Sequence, residues 1–179
     1  MGGRPRIGKK LIGDVIIDEV TYIENKSSKR ARKILNRSEH IEIEIWCGQH
    51  YYKRALIGDE NGKREGIEEE GIKELVVKSI PHLLYYLFKI PGFAFINFGV
   101  RTRYIRLLIQ EVKKDVTLNI VTEFHYVTHN KYEATVITAM QSDDFAISLG
   151  QNILEMNGDV SYLRQKNSNH IVDIDNYSK

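Results

Sequence analysis

The feature that most constrains the fold is a run of three strand-like segments, residues 104–113, 117–128 and 131–141, separated only by Lys114-Asp115 and by His129-Asn130. Polar connections this short join consecutive antiparallel strands and leave no room for the crossover that a parallel pair needs. The segments are therefore read as a meander. In the middle one, Leu118, Ile120, Thr122, Phe124 and Tyr126 fall on one face and Val121, Glu123, His125 and Val127 on the other. A chain of 179 residues, 42% of them hydrophobic, can bury one face of such a sheet in a single core and does not require two domains.

The layer that covers this core precedes it. Over residues 67–89, Ile72, Leu75, Val76, Ile80, Leu83, Leu84 and Leu87 recur at three- and four-residue steps, which predicts an amphipathic helix kinked or restarted at Pro81. Further upstream, the β-branched run at 14–23 predicts a strand, and the cationic stretch KSSKRARKILNR at 26–37 predicts a basic helix. Ile41, Ile43 and Ile45 alternate with Glu42, Glu44 and Trp46 in a half-buried strand, after which 48–57 can form a short helix. Beyond the meander, a short hairpin or helix is expected at 147–155, and the polar end, 167–179, is expected to be loose. The predicted class is α+β, with helices packed on one face of an antiparallel β-sheet and the other face open to a ligand. In this reading residues 1–40 are a basic N-terminal extension, 41–142 the central domain and 143–179 a C-terminal extension.

Charge and cysteine content narrow the function classes. The net charge of +2 is mild, yet residues 1–40 hold ten of the 26 Lys and Arg, while Asp143, Asp144, Glu155, Asp159, Asp173 and Asp175 crowd the other end. A basic side suits a polyanionic partner. Cys47 has no second cysteine to pair with, and no charged and apolar leader opens the sequence, so a reducing cytoplasm is expected. No apolar run of membrane-spanning length occurs, and no membrane partner is expected.

Several chemistries lack their residues. The loop Gly58-Asp-Glu-Asn-Gly-Lys-Arg is one residue short of a phosphate-binding loop and has no Ser or Thr after Lys63. Neither a cysteine pair nor an HExxH run is present, so no metal and no cofactor is expected. Cys47 reads as a small core residue. What remains is histidine with arginine. His50 and Arg54 lie four apart and share a helix face; His82 lies on the main helix; Arg101, Arg103 and Arg106 cluster at the start of the meander; His125 shares a strand face with Glu123. A proton-transfer group beside a fixed cation is what phosphodiester cleavage needs. Against this, any one of these histidines can equally be a hydrogen-bonded structural residue, and the arginines the solvent side of a strand.

The segment Ile43-Glu-Ile-Trp-Cys-Gly-Gln-His-Tyr-Tyr-Lys-Arg-Ala-Leu56, followed by an amphipathic helix and an antiparallel sheet, resembles the phage RegB-type endoribonucleases and their RelE-like relatives in the barnase–EndoU–colicin–RelE superfamily. The order of elements corresponds over residues 41–141. The resemblance implies a toxin-like or phage-borne endoribonuclease that needs no metal, with His50 as catalytic histidine and Arg54 beside it. The family's second histidine falls on Lys78 here, with His82 one turn later, and His125 is an alternative for that role. The implied reaction is attack of a 2′-hydroxyl on its own phosphate, giving a 2′,3′-cyclic phosphate and a 5′-hydroxyl. The implied partners are RNA, mRNA first, the ribosome, and an inhibitory or activating protein. Two other classes stand beside this one: a non-catalytic RNA-binding module using Tyr104, Phe124, Tyr126 and Tyr132 as stacking rings, and a protein-interaction or inhibitor protein without RNA.

Overall fold

The structure is a computed structural model that describes residues 6–23, 31–47, 66–100, 103–113, 116–128 and 130–178, with 6–23 and 31–40 described by their backbone alone. The strands are β1 (Arg6–Ile23), β2 (Ala31–Cys47), β3 (Ile96–Asn97), β4 (Leu107–Val112), β5 (Thr117–Thr128), β6 (Lys131–Gln141), β7 (Asn152–Asn157), β8 (Val160–Lys166) and β9 (Ile171–Ser178), and one helix among the described residues, α1 (Glu69–Lys89), lies between β2 and β3 in sequence. All nine strands join one sheet in the order β1-β2-β6-β5-β4-β7-β8-β9, with β3 beside β5. The pairs β2/β6, β4/β7 and β3/β5 are parallel and the rest antiparallel. The molecule is thus a mixed α and β protein built on a large, mostly antiparallel sheet that draws strands from all three predicted segments.

The expected meander is present as β4-β5-β6. On β5, Leu118, Ile120, Thr122 and Phe124 are all buried, and Leu118, Ile120 and Phe124 join the main core with Ile72, Leu75, Val76 and Leu83 of α1. Each such side chain stabilises the fold by roughly 1.5–3 kcal/mol when fully buried. The helix begins with Glu69 and Glu70 in its first turn and ends with Lys89 in its last, charges that suit the two ends of its dipole. Pro81 does not interrupt it. The proline is exposed, so the lost helical hydrogen bond falls on the side of the helix away from the core.

Two expectations fail. Residues 31–37, taken as part of a basic helix, belong to β2 and pair with β1 from Ala31↔Ile23 to Arg37↔Ile17. Cross-strand pairing overrides the local propensity of a Lys- and Arg-rich stretch. The end of the chain, expected to be loose, forms β9 against β8. It is tied to α1 by Lys89 Nζ to Asp175 Oδ2 at 2.7 Å and by Tyr177 stacked on Tyr85 at 4.1 Å between centroids. Its polarity is that of an edge strand, where charged side chains discourage further pairing. The segment at 147–155 resolves into the start of the β7–β8 hairpin. The predicted helix at 48–57 lies outside the described residues.

Candidate active site

The site lies on the face of the sheet turned away from α1. Because β6 and β7 are separated in the sheet by β5 and β4, the connection 142–151 must pass across two strands. It does so on this outer face. Phe145 and Ile147, with Ile137 of β6, pack on Leu108, Val121 and Ile153, a cluster separate from the main core. One end of the connection is held by Ser142 N–H to the Thr117 carbonyl and Thr117 N–H to Asp143 Oδ1, each 3.0 Å. The other end is held by Gly150 N–H to the Lys166 carbonyl at 2.7 Å. This strap is one wall of an open cleft of about 850 Å³.

The opposite wall is the segment leading into β4. Its position follows from Asn97 on β3, whose side chain is buried. Asn97 Oδ1 accepts Ile105 N–H at 2.7 Å, while Nδ2 donates to the carbonyls of Ile105 at 3.1 Å and Phe124 at 3.0 Å. An amide satisfied on both sides fixes the backbone at Ile105, and with it the neighbours Tyr104 and Arg106 at the cleft.

Between the walls stands the polar centre. Glu123 is only 6% exposed, although it lies on an open sheet face. Arg106 Nε donates to its Oε1 at 2.8 Å, and His125 Nε2 lies 3.3 Å from its Oε2. A carboxylate only accepts, so Nε2 is the donor in this contact. The Tyr104 ring meets His125 edge to face at 4.8 Å between centroids. His125 is thereby held in orientation beside the cleft, and Arg103 and Arg106 add exposed positive charge to the cleft's lining. Such an arrangement can take a proton from a hydroxyl and hold an anion beside it.

Farther along the outer face the character changes. Lys131 Nζ lies 2.8 Å from Glu44 and 3.4 Å from Glu42, and Thr135 Oγ1 donates to Glu133 at 3.1 Å. On the β2–β6 side the carboxylates Glu42 and Glu44 thus share one cation, whereas the cleft toward the strap is lined by the exposed arginines Arg103 and Arg106.

Of the residues singled out in the sequence, Arg103 and Arg106 line the cleft, and His125 is linked to Arg106 through Glu123. Two others do not join them. His82 is 3% exposed on the core side, its Nδ1 2.8 Å from Ser161 Oγ and its ring edge on Tyr177. Lys78 is also on the helix side, with Nζ 2.7 Å from Glu111 Oε1. Burial tends to raise the Glu111 carboxyl's pKa, but the hydrogen bond and charge of Lys78, with Lys113 nearby, hold it below its usual range. His50, Arg54 and Arg101 lie outside the described residues. Cys47 is fully buried, and that burial, with Glu69 adding to it, pushes its thiol up to about 12, which suits a core residue and not a nucleophile. Among the proposed stacking rings Phe124 is in the core, while Tyr104 and Tyr126 are exposed.

Sequence reasoning underrated Glu123 and missed the strap. The signal for Glu123 was its i, i+2 spacing with His125 on a strand. For His82 it was its place in the buried stripe Leu75, Ser79, His82, Tyr86. Among the described residues no group of His, Cys, Asp and Glu is gathered as a metal site requires, and no helix is long and apolar enough to cross a membrane. Comparison with protein-family models, with curated proteins and with solved structures returns no match.

Proposed function

We propose that the outer-face cleft cleaves RNA without a metal ion, as an elaborated relative of the RelE and RegB-type ribonucleases working in the cytoplasm. The observation that carries this reading is the Arg106–Glu123–His125 chain, in which Arg106 and Glu123 line the open cleft with Arg103 and His125 adjoins it through Glu123 and Tyr104. His125 Nδ1 removes the proton of a 2′-hydroxyl, whose oxygen attacks the adjacent phosphorus. Glu123 holds the imidazole and stabilises its charge once the proton has moved, the same service a buried carboxylate gives histidine in hydrolytic triads. Arg103 and Arg106 take up charge developing on the phosphoryl oxygens. His50, the histidine of the Gln-His-x-x-x-Arg-Ala motif, is assigned to protonating the departing 5′-oxygen, with Arg54 beside it. The products are a 2′,3′-cyclic phosphate and a 5′-hydroxyl.

A second reading, RNA binding without cleavage, is favoured by one observation. Phe98 and Tyr126 are exposed and lie 5.5 Å apart between centroids, and Tyr126 is 6.0 Å from Tyr132, a row of rings on which bases can stack.

The test is incubation with total RNA in EDTA, beside His125→Ala, Glu123→Gln and His50→Ala, with new ends assayed for cyclic phosphate. Wild type should give discrete fragments with cyclic phosphate ends. Each histidine variant should lose a factor of about 10²–10⁴ in rate. RNA left intact by wild type, also when ribosomes are added, would remove the catalytic reading and leave the binding one.

A further inference from the structure

The outer-face cleft has a second half that the proposed chemistry does not use. Past Arg106 and Glu123 its lining gains apolar side chains, Val121 and Ile137 on the sheet and Phe145 and Leu149 on the strap, with Thr138 and Ser148 among them. Leu149 is 68% exposed, and Phe145 is only partly covered by the small cluster it joins. A ring is thus presented to the cleft by a segment that crosses the sheet to reach it.

The geometry points to a nucleobase subsite in this half, in which Phe145 is the stacking ring for the base next to the scissile phosphate. The inference rests on the RNA-cleavage reading and adds to it where the substrate lies and what part of it is recognised. Three observations single out a nucleotide. The two halves have the polarity of one: cations for the phosphate at Arg103 and Arg106, an apolar floor with an aromatic wall for the base. The carboxylate of Glu133, opposite His125 on β6, makes that direction unfavourable to a phosphate chain. At the strap's far end Asp143 and Asp144 are exposed, so a second phosphate beyond the base would meet negative charge. The apolar half therefore takes one base, and the chain leaves on the arginine side.

The strap is rigid enough to serve as a wall. It is hydrogen-bonded at both ends, its turn at Gly150 has a φ of 75° that favours glycine, and Gln151 N–H returns to the Ser148 carbonyl at 3.1 Å. Ring stacking on a fixed platform needs little reorganisation in the protein.

The probe is a hexanucleotide with 2′-O-methyl riboses, which cannot be cleaved by 2′-hydroxyl attack, compared with the same hexamer made abasic. Binding is read by fluorescence anisotropy for wild type, Phe145→Leu, which keeps apolar packing without the ring, and Phe145→Tyr, which keeps the ring. Thermal unfolding confirms that each variant folds. Wild type and Phe145→Tyr should prefer the hexamer with bases by about 5- to 150-fold. Phe145→Leu should lose that preference and bind both hexamers alike. If Phe145→Leu keeps the wild-type preference while wild type cleaves RNA, the subsite is wrong and the proposed activity stands. If wild type neither binds the hexamers nor cleaves RNA, the activity is overturned and the subsite with it.

Discussion

Each side of the sheet has a histidine oriented by a hydrogen bond and by a tyrosine ring, and only one of the two is open to solvent. On the helix side, His82 has Ser161 and Tyr177; on the outer side, His125 has Glu123 and Tyr104. Their local geometry is similar. Access separates them, because His82 is 3% exposed on the inner face of α1, against β8 and β9, while the His125 side chain is 22% exposed on an open face. The lesson is that an ordered, hydrogen-bonded histidine is not by that fact a catalyst. On the covered face the same bonds hold strands and helix together. Tyr86 Oη donates to the Ser161 carbonyl at 2.8 Å, so helix and hairpin are joined there by polar contacts as well as packing.

The division can be broken most sharply through the histidines themselves. His125→Ala should cut RNA cleavage by about 10²–10⁴ and leave the unfolding midpoint near that of wild type, since its ring is partly solvated and its loss opens no core cavity. A large loss of stability in that variant would mean the outer face is structural after all. Leu83→Ala should do the reverse. Leu83 is fully buried on α1, and its truncation should cost about 2–5 kcal/mol in urea unfolding, with cleavage per folded molecule unchanged. His82→Ala should be milder, about 1–3 kcal/mol, because it leaves Ser161 with one partner fewer in a buried setting. If His82→Ala instead abolished cleavage in a folded protein, the separation of the faces would be wrong as a guide to function.

How much of this was legible in the sequence differs between the same two faces. The covered face was readable because burial writes period-two and period-3.6 patterns, as Leu118, Ile120 and Phe124 on β5 and Ile72, Val76 and Leu83 on α1 show. The open face left a fainter trace. Glu123 and His125 could be placed side by side by strand alternation, but that Arg106 joins them depends on Asn97 pinning Ile105, a contact spanning eight residues that no periodicity reports. The strap was invisible for a topological reason. Nothing local to residues 142–151 says that β7 pairs with β4 and not with β6, and only that order sends Phe145 across the sheet. The Lys- and Arg-rich stretch at 31–37 and the polar strand β9 misled because both are governed by a neighbouring strand rather than by their own composition. Where the Gln-His-x-x-x-Arg-Ala motif sits is a matter outside the described residues.

The smallest expected effect tests whether Lys78 belongs to the covered face or to RNA. The family resemblance sets it at the position of a second catalytic histidine, and its charge would serve a phosphate well. In the structure it is joined to Glu111, on the same side of β4 as Leu107 and Ile109 of the core. Lys78→Met should therefore leave RNA binding and its salt dependence unchanged, whereas removal of a phosphate contact would weaken binding and flatten that dependence. Stability should fall instead, by under about 1 kcal/mol for a pair so close to the surface. Glu111→Gln gives the same loss with a pH signature. The folded carboxyl is held below its usual value, so the pair stabilises the fold above the ordinary carboxylate range and ceases to do so as the pH falls through the lowered value. The gap in urea stability between wild type and Glu111→Gln should be open at neutral pH and close on acidification. A gap that persisted in acid would show that Glu111 acts through packing and not through its charge on Lys78, and the case for excluding Lys78 from RNA would lose its physical basis.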